Sequence, residues 1–250
     1  MIELLSSQHL SFNILGLVNW SAAEIKKVRN LRTSGLTTQQ GALVKVLMSG
    51  RHKDIHLSKT LCWLLRHGAV KEHLAISPEG YMNVEDLLNH KSLKNKFTVD
   101  DIKRVVETSE KQRFTLRCRN NILQICANQG HSLREVDDIT LVPILSSEDL
   151  TVIHGTFYKN WINIQKEGIS RMKRNHIHFA ADLPHNKSVI SGVRSNAQVF
   201  IYINLELALS DSIEFYMSVN GVILSPGNDR GYIEPKYFSR VSDINGKSLL

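Results

Sequence analysis

The sequence predicts an α+β fold in two unlike parts. Three observations carry this reading. Leu57–His67 forms a leucine-striped helix with two further helical stretches behind it. Two alternating runs then flank Arg119-Asn120-Asn121. Beyond Asp137-Asp138 the texture changes to short strands with one helix. The boundaries that follow are an N-terminal extension of unknown role at residues 1–56, a helix-rich part at 57–136 and a β-rich part at 137–250.

In the extension, Ser21 reads as the N-cap of a short helix with Glu24 completing a capping box, and Thr33–Gly41 reads as a linker. The next helix places Leu57, Leu61, Leu64 and Leu65 on one face by the 3.6-residue period, and Gly68 stops it just after Arg66-His67. Ser77-Pro78-Glu79-Gly80 is a turn into a short strand at Tyr81–Asn83. Asn83 then caps a helix at Val84–His90. Thr98 caps another at Val99–Thr108, striped by Ile102, Val105 and Val106. Arg113–Arg117 and Ile122–Ala127 form a hairpin. Three helices followed by a hairpin make a winged-helix arrangement, a module that serves nucleic-acid and protein contacts alike. In the β-rich part, strands are expected at Ile139–Ile144, Thr151–Ile153, Ile177–Ala180, Val199–Asn204, Ile213–Tyr216 and Val222–Ser225. The single helix expected there, Lys159–Gly168, is anchored by Trp161 and Ile164.

A composition of 42% hydrophobic and 22% charged residues suits a globular chain with a substantial core. The net charge of +7 is uneven. Seven basic residues face three acidic ones up to Leu57, thirteen face nine over 58–135, and eleven face twelve in the remainder. The first half therefore suits a polyanion, or carries charge for solubility alone. Three cysteines without CxxC spacing, Cys62, Cys118 and Cys126, fit free thiols in a reducing intracellular compartment, cytoplasm or nucleus. No apolar run approaches the roughly 20 residues of a membrane span, and Leu10–Val18 lacks the basic flank of a signal peptide. No membrane association or obligate protein partner is expected. The absence of GxGxxG and of GxxxxGK[ST] excludes a Rossmann fingerprint and a P-loop.

Several residues have the chemistry of a ligand site, and each has a plainer reading beside it. His154-Gly155-Thr156 follows a strand and offers polar contacts with close backbone approach, or is a surface strand end. In His176-Ile177-His178-Phe179, alternation puts both imidazoles on one face, as a ligand site or as a polar sheet face. A metal held by this pair with Asp182 or His185 would lack a cysteine or HExxH partner, so none is expected. Arg66 and His67 either complement the helix dipole, worth about 0.3–1 kcal/mol, or hold an anion. Arg113 is a wing residue or a ligand, and Arg194 a loop charge or a ligand. Arginine holds phosphate through two parallel hydrogen bonds, and three arginines with a histidine would make a phosphate grip.

Taken in order, these pieces resemble one family. Leu57-Ser58-Lys59, Leu64-Leu65-Arg66-His67-Gly68-Ala69, Glu79-Gly80-Tyr81 and Asp86-Leu87-Leu88 look like the start of the tRNA 2′-phosphotransferases. Lys111-Gln112-Arg113-Phe114, Ala127-Asn128-Gln129-Gly130-His131-Ser132, His154-Gly155-Thr156, His176-Ile177-His178, Ser191-Gly192-Val193-Arg194 and Asn220-Gly221-Val222-Ile223-Leu224 follow in the family's order. The resemblance spans about residues 54–240 and leaves the extension uncovered. Val193 stands where the family often has methionine, and Met217 where many members have arginine.

The resemblance implies a winged-helix RNA-binding lobe joined to an ADP-ribosyltransferase-like, NAD-binding lobe, with the active site in the cleft between them. The implied reaction removes an internal RNA 2′-phosphate, as at a tRNA splice junction, with NAD consumed as co-substrate. The 2′-phosphate displaces nicotinamide to give an ADP-ribosylated phosphate. A ribose hydroxyl then attacks phosphorus, releasing 2′-OH RNA and ADP-ribose 1″,2″-cyclic phosphate. By the same resemblance Arg66, His67, Arg113 and Arg194 form the phosphate clamp. His154, Gly155, Thr156, His176 and His178 line the NAD pocket, with Ser191 and Asn220 as further candidates. Gln129-Gly130-His131-Ser132 contacts either substrate. Two other functions remain open at this stage: ADP-ribosylation of terminal nucleic-acid phosphates, and RNA binding without catalysis.

Overall fold

Leucines at the spacing of one helical face build the first core. The computed structural model describes residues 38–137, 141–183, 192–194 and 196–250, with side chains from residue 49 onward. The expected Ser21 helix, residues 33–37 of the linker, residues 139–140 of the first β-rich strand and Ser191 lie outside the described residues. The chain divides into two compact units, residues 1–53 and 54–250. The described part of the first is helical backbone.

Helix α1 is Thr38–Trp63, so it starts well before Leu57, and residues 38–41 are helical where a linker was expected. Past Gly41 the run Ala-Leu-Val-Lys-Val-Leu-Met has no breaker, and one interior glycine costs only about 1 kcal/mol. The helix loosens into a π-helix at Leu64–Gly68, which carries Arg66 and His67. Such π segments recur at functional sites. Leu57, Leu61, Leu64 and Leu65 have no exposed surface, as their spacing requires.

Strand β1 (Tyr81–Asn83) leads into α2 (Val84–Asn89), then α3 (Val99–Glu107), β2 (Phe114–Arg119) and β3 (Ile122–Ala127). Thr98 and Asp101 form a complete capping box on α3. Asn83 sits at the α2 N-cap but donates to Asp86 and accepts from Gln124, and its side chain does not cap the helix. The β2–β3 turn has Asn120 and Asn121 at φ 53° and 62°, the left-handed pair of a type I′ hairpin. The antiparallel order is β1-β3-β2. This sheet and the helices enclose one core, from Leu57 to Val136.

The second core is built by short antiparallel strands. These are β4 (Val142–Pro143), β5 (Ile153–Thr156), β6 (Ile169–Ser170), β7 (Ile177–Phe179), β8 (Val199–Ile203), β9 (Tyr216–Met217), β10 (Ile223–Ser225), β11 (Tyr232–Ile233) and β12 (Phe238–Asp243). They pair as β4-β9-β10-β7, β12-β8-β5 and β11-β6. Ile153 and Ala180 exchange backbone hydrogen bonds of 2.9 Å, which ties β5 to the end of β7. Helix α4 (Tyr158–Glu167) buries Trp161, as expected. A second helix, α5 (Leu205–Ser210), corrects the expectation of one: Asn204 caps it by accepting the Leu207 N–H. His154-Gly155-Thr156 lies within β5 and does not follow it. The whole is an α+β chain with one core before residue 137 and, after it, a main core and a smaller cluster of Ile153, Ala197 and Phe200.

Candidate active site

The segment after β3 stitches the two cores together, and the cations gather around it. Ser132 N–H donates to the Arg66 carbonyl at 2.9 Å, satisfying a group near a helix end, and Ser132 Oγ lies 2.9 Å from His67 Nδ1. Asn175 donates from its backbone to the His131 carbonyl (3.0 Å) and from its side chain to the Leu133 carbonyl (3.3 Å). His178 Nε2 donates to Gln129 Oε1 at 2.9 Å. One strip of chain thus holds the π-helix on one side and the approach to β7 on the other.

Gly130 lies against the Arg66 side chain. Its φ of +90° disfavours any larger residue, and an added Cβ would stand 3.4 Å from Arg66 Nη1. Nε and Nη2 of Arg66 are sealed from solvent without a hydrogen-bond partner. Burial pushes this guanidinium below its ordinary pKa. Cys62 opposes that shift, while Arg174 and Arg113 reinforce it. A guanidinium stays charged in proteins, so the lowered value records an uncompensated buried cation. Elsewhere arginines are neutralised: Arg104 by Asp54 and Asp101, Arg117 by Glu79, Arg230 by Glu234. Among the described residues no carboxylate pairs with Arg66, Arg113, Arg174 or Arg194. Such a cluster is a seat for anions.

Burial favours the uncharged form of His67, His154 and His178. Burial holds His178 down to about 3, with Arg174, Arg66, His176 and His154 acting in the same direction. Burial also lowers His154, although its Nδ1–H donates to the His178 carbonyl at 3.0 Å. His67 is lowered by burial, then by Arg174 and Arg66. Arginines supply the fixed charge here, and imidazoles supply hydrogen bonds. A concavity of about 710 Å³ lies elsewhere, and Glu167 and Glu234 offset its cations Lys166, Arg230 and Lys236.

The profile of the RNA 2′-phosphotransferase, Tpt1 / KptA family matches residues 52–227. The chain belongs to this family. It is 44% identical over 198 residues to tRNA 2′-phosphotransferase 1 of Danio rerio, covering 77% of this chain and 87% of the relative. It is 43% identical over 181 residues to tRNA 2′-phosphotransferase of Saccharomyces cerevisiae, covering 69% and 79%. A probable RNA 2′-phosphotransferase of Rhizobium leguminosarum is 30% identical over 184 residues, covering 73% and 94%.

Within this 2′-phosphotransferase chain, Arg66, His67 and Arg113 share one electrostatic neighbourhood with Arg174. Arg194 enters it through Arg174, whose pKa is lowered by burial and then by Arg194. Arg194 itself is exposed, its guanidinium 5.7 Å from the Phe157 ring centre. Gly192 and Val193 before it are closely packed. An added Cβ on Gly192, at φ +117°, would strike the Phe179 carbonyl, and one on Gly155 would strike Val193 Cγ1. His154, Gly155, His178 and residues 192–194 are therefore neighbours. His176 is buried beside Tyr216, ring centres 6.2 Å apart. Thr156 is buried and accepts from the Asn160 side chain at 3.3 Å. Asn220 is buried and donates to the Lys111 carbonyl.

Arg174 is the functional candidate that sequence reading missed. The signal was present: Arg174-Asn175-His176-Ile177-His178 continues the alternation one step before the first histidine. No group of three or more histidine, cysteine or carboxylate side chains able to hold a metal occurs among the described residues. No described helix is long and apolar enough to cross a membrane.

Proposed function

We propose that this chain removes the 2′-phosphate from RNA, with tRNA carrying a splice-junction 2′-phosphate as substrate and NAD as consumed co-substrate. The single observation behind this reading is the buried Arg66 guanidinium, without a carboxylate partner among the described residues, with Arg113, Arg174 and His67 around it and Arg194 beside Arg174. Such a constellation suits a phosphate dianion, which bidentate guanidinium contacts hold best. The RNA brings its own nucleophile, and the chain needs no activated serine or cysteine.

Residues 57–136 then act as a winged-helix RNA lobe and 137–250 as an ADP-ribosyltransferase-like lobe. NAD supplies an electrophilic ribose carbon with nicotinamide as leaving group. The phosphate ends on ADP-ribose as the 1″,2″-cyclic ester, and RNA keeps a free 2′-hydroxyl. Arg66 and Arg113 hold the phosphate oxygens and spread the charge of phosphoryl transfer. His67, oriented by Ser132, offers its second ring nitrogen to the same group. The neutral His154 and His178, beside the loop of Arg194, suit a dinucleotide, because they give hydrogen bonds without competing charge. Met217 leaves one contact of many relatives unfilled. Three free thiols fit a reducing intracellular compartment.

The test is incubation of an internally 2′-phosphorylated RNA with NAD and mass analysis of both products. The expected result is RNA lighter by one phosphate, with nicotinamide and ADP-ribose 1″,2″-cyclic phosphate. ADP-ribose persisting on the RNA would replace this reading with nucleic-acid ADP-ribosylation. Binding without nicotinamide release would replace it with a non-catalytic RNA module.

A further inference from the structure

Arg113 leaves an unusual turn, and the restraints on that turn come from both halves of the chain. Gln112 has φ +40°, a left-handed conformation that a non-glycine residue adopts only when its surroundings impose it. Its N–H donates to the Ser109 carbonyl at 2.8 Å. Asn128 grips the far side of the turn. Its side chain donates to the Gln112 carbonyl at 2.6 Å, its backbone N–H donates to the Arg113 carbonyl at 2.9 Å, and its Oδ1 accepts from Thr115. The near side is held from 109 residues away: Asn220 Nδ2 donates to the Lys111 carbonyl at 3.2 Å.

Asn220 can bear this load because its own support is rigid. It is 4% exposed, and its Oδ1 lies 2.9 Å from Ser218 Oγ, whose one proton is also within 2.8 Å reach of the Val222 carbonyl. Ser218, also buried, accepts the Val222 N–H on Oγ at 3.0 Å, and its backbone N–H donates to the Val222 carbonyl at 2.9 Å. Gly221, at φ +72°, closes the turn by donating to the Ser218 carbonyl. The β9–β10 connection therefore presents one amide beside Ser218, with its Nδ2 end given to the Lys111 carbonyl. A side chain committed in this way has little left for a co-substrate.

We infer that Asn220 is a positioning residue for Arg113: the second half of the chain reaches across through this amide to fix the Lys111–Arg113 turn and so aim a phosphate-holding guanidinium from the first half. This rests on the reading of Arg113 as a phosphate contact. It makes the β9–β10 turn part of the phosphate site without touching phosphate, and it moves Asn220 out of the NAD-lining set.

The experiment compares Asn220→Asp, Ser218→Ala and Arg113→Ala, with the double variant Asn220→Asp/Arg113→Ala. Asn220→Asp keeps the shape and turns an acceptor toward the Lys111 carbonyl. Steady-state kinetics should show kcat/KM for 2′-phosphorylated RNA falling about tenfold or more, as the loss of one buried hydrogen bond implies, with KM for NAD unchanged. Ser218→Ala should move the same parameter by less. Adding Asn220→Asp to Arg113→Ala should cost nothing further, because the strut acts only through that arginine. A raised KM for NAD with RNA parameters intact would overturn the inference, as would full additivity with Arg113→Ala. Hydrogen exchange gives a readout independent of activity: the Asn128 N–H should exchange faster in both Asn220→Asp and Ser218→Ala, and unchanged protection in both would also overturn it. A parent protein that leaves 2′-phosphorylated RNA intact defeats the functional reading, whereas the exchange result still decides whether Asn220 holds the turn.

Discussion

Replacing Arg66 by methionine should yield a protein that is more stable and inactive. Two guanidinium donors, Nε and Nη2, are buried without partners, and each such donor costs roughly 1–3 kcal/mol. Repulsion from Arg174 and Arg113 acts in the same direction. Methionine keeps an unbranched stem against Gly130, where the guanidinium and Cδ now pack, and adapts to irregular space. Taking both donors at the low end of the range gives a gain of about 2 kcal/mol, or roughly 4–8 °C in the unfolding midpoint for a chain of this size. Scanning calorimetry with and without inorganic phosphate is the assay. Phosphate should raise the midpoint of the parent by occupying the buried donors and leave Arg66→Met where it was. A midpoint below that of the parent would mean that the guanidinium is already satisfied, and the inference of an anion seat from orphaned donors would fail.

Arg194→Ala should leave the unfolding midpoint unchanged, because the side chain is exposed, and reduce phosphate removal by at least about a hundredfold; near-normal turnover would take Arg194 out of the clamp. Arg174 lowers the pKa of both His67 and His178. Arg174→Ala should therefore move the His67 titration upward toward 6.5 in NMR, and an unmoved titration would place Arg174 outside the site. His178, near 3 in the folded protein, binds a proton in the unfolded chain below about 6.5. Unfolding free energy should fall on the order of a few kcal/mol as pH drops from 6.5 toward 3. His178→Gln should flatten that slope, and an equally steep slope in the variant would refute the assignment.

Much of the first half of the fold was readable in the sequence because its pieces are local. The Thr98 capping box and the Asn120-Asn121 turn depend on residues a few positions apart, and the leucine stripe needs only the helical period. What escaped depends on distant partners. Strands β6 and β11 are two residues each, defined by Tyr232 facing Ser170 and Ile233 facing Ile169, and no period exists in two residues. Strand β12 alternates imperfectly because its register against β8 shifts between Phe238 and Arg240. The start of α1 was hidden by threonine, glutamine and glycine, which suit a linker as well as a helix end. Arg174 was passed over because it precedes the strand, although the alternation reaches it. The commitment of Asn220 to the Lys111 carbonyl was beyond sequence reading altogether, since nothing in Asn-Gly-Val names its partner.

The proposed site draws on both cores. The first brings Arg66, His67 and Arg113 and carries a surplus of basic residues. The second brings Arg174, just ahead of β7, and Arg194, next to Gly192 and Val193 packed on β7 and β5, beside histidines whose uncharged form burial favours. Charging His154 and His178 as well would add repulsion to guanidinium groups that already lack carboxylate partners. Keeping them neutral lets a polar ligand be read by hydrogen bonds a few side chains from where an anion is held by charge. The proposed pairing of a phosphate with a dinucleotide would use that division, and the strip Gln129–Ser132 bonds His178 at one end and the Arg66–His67 turn at the other.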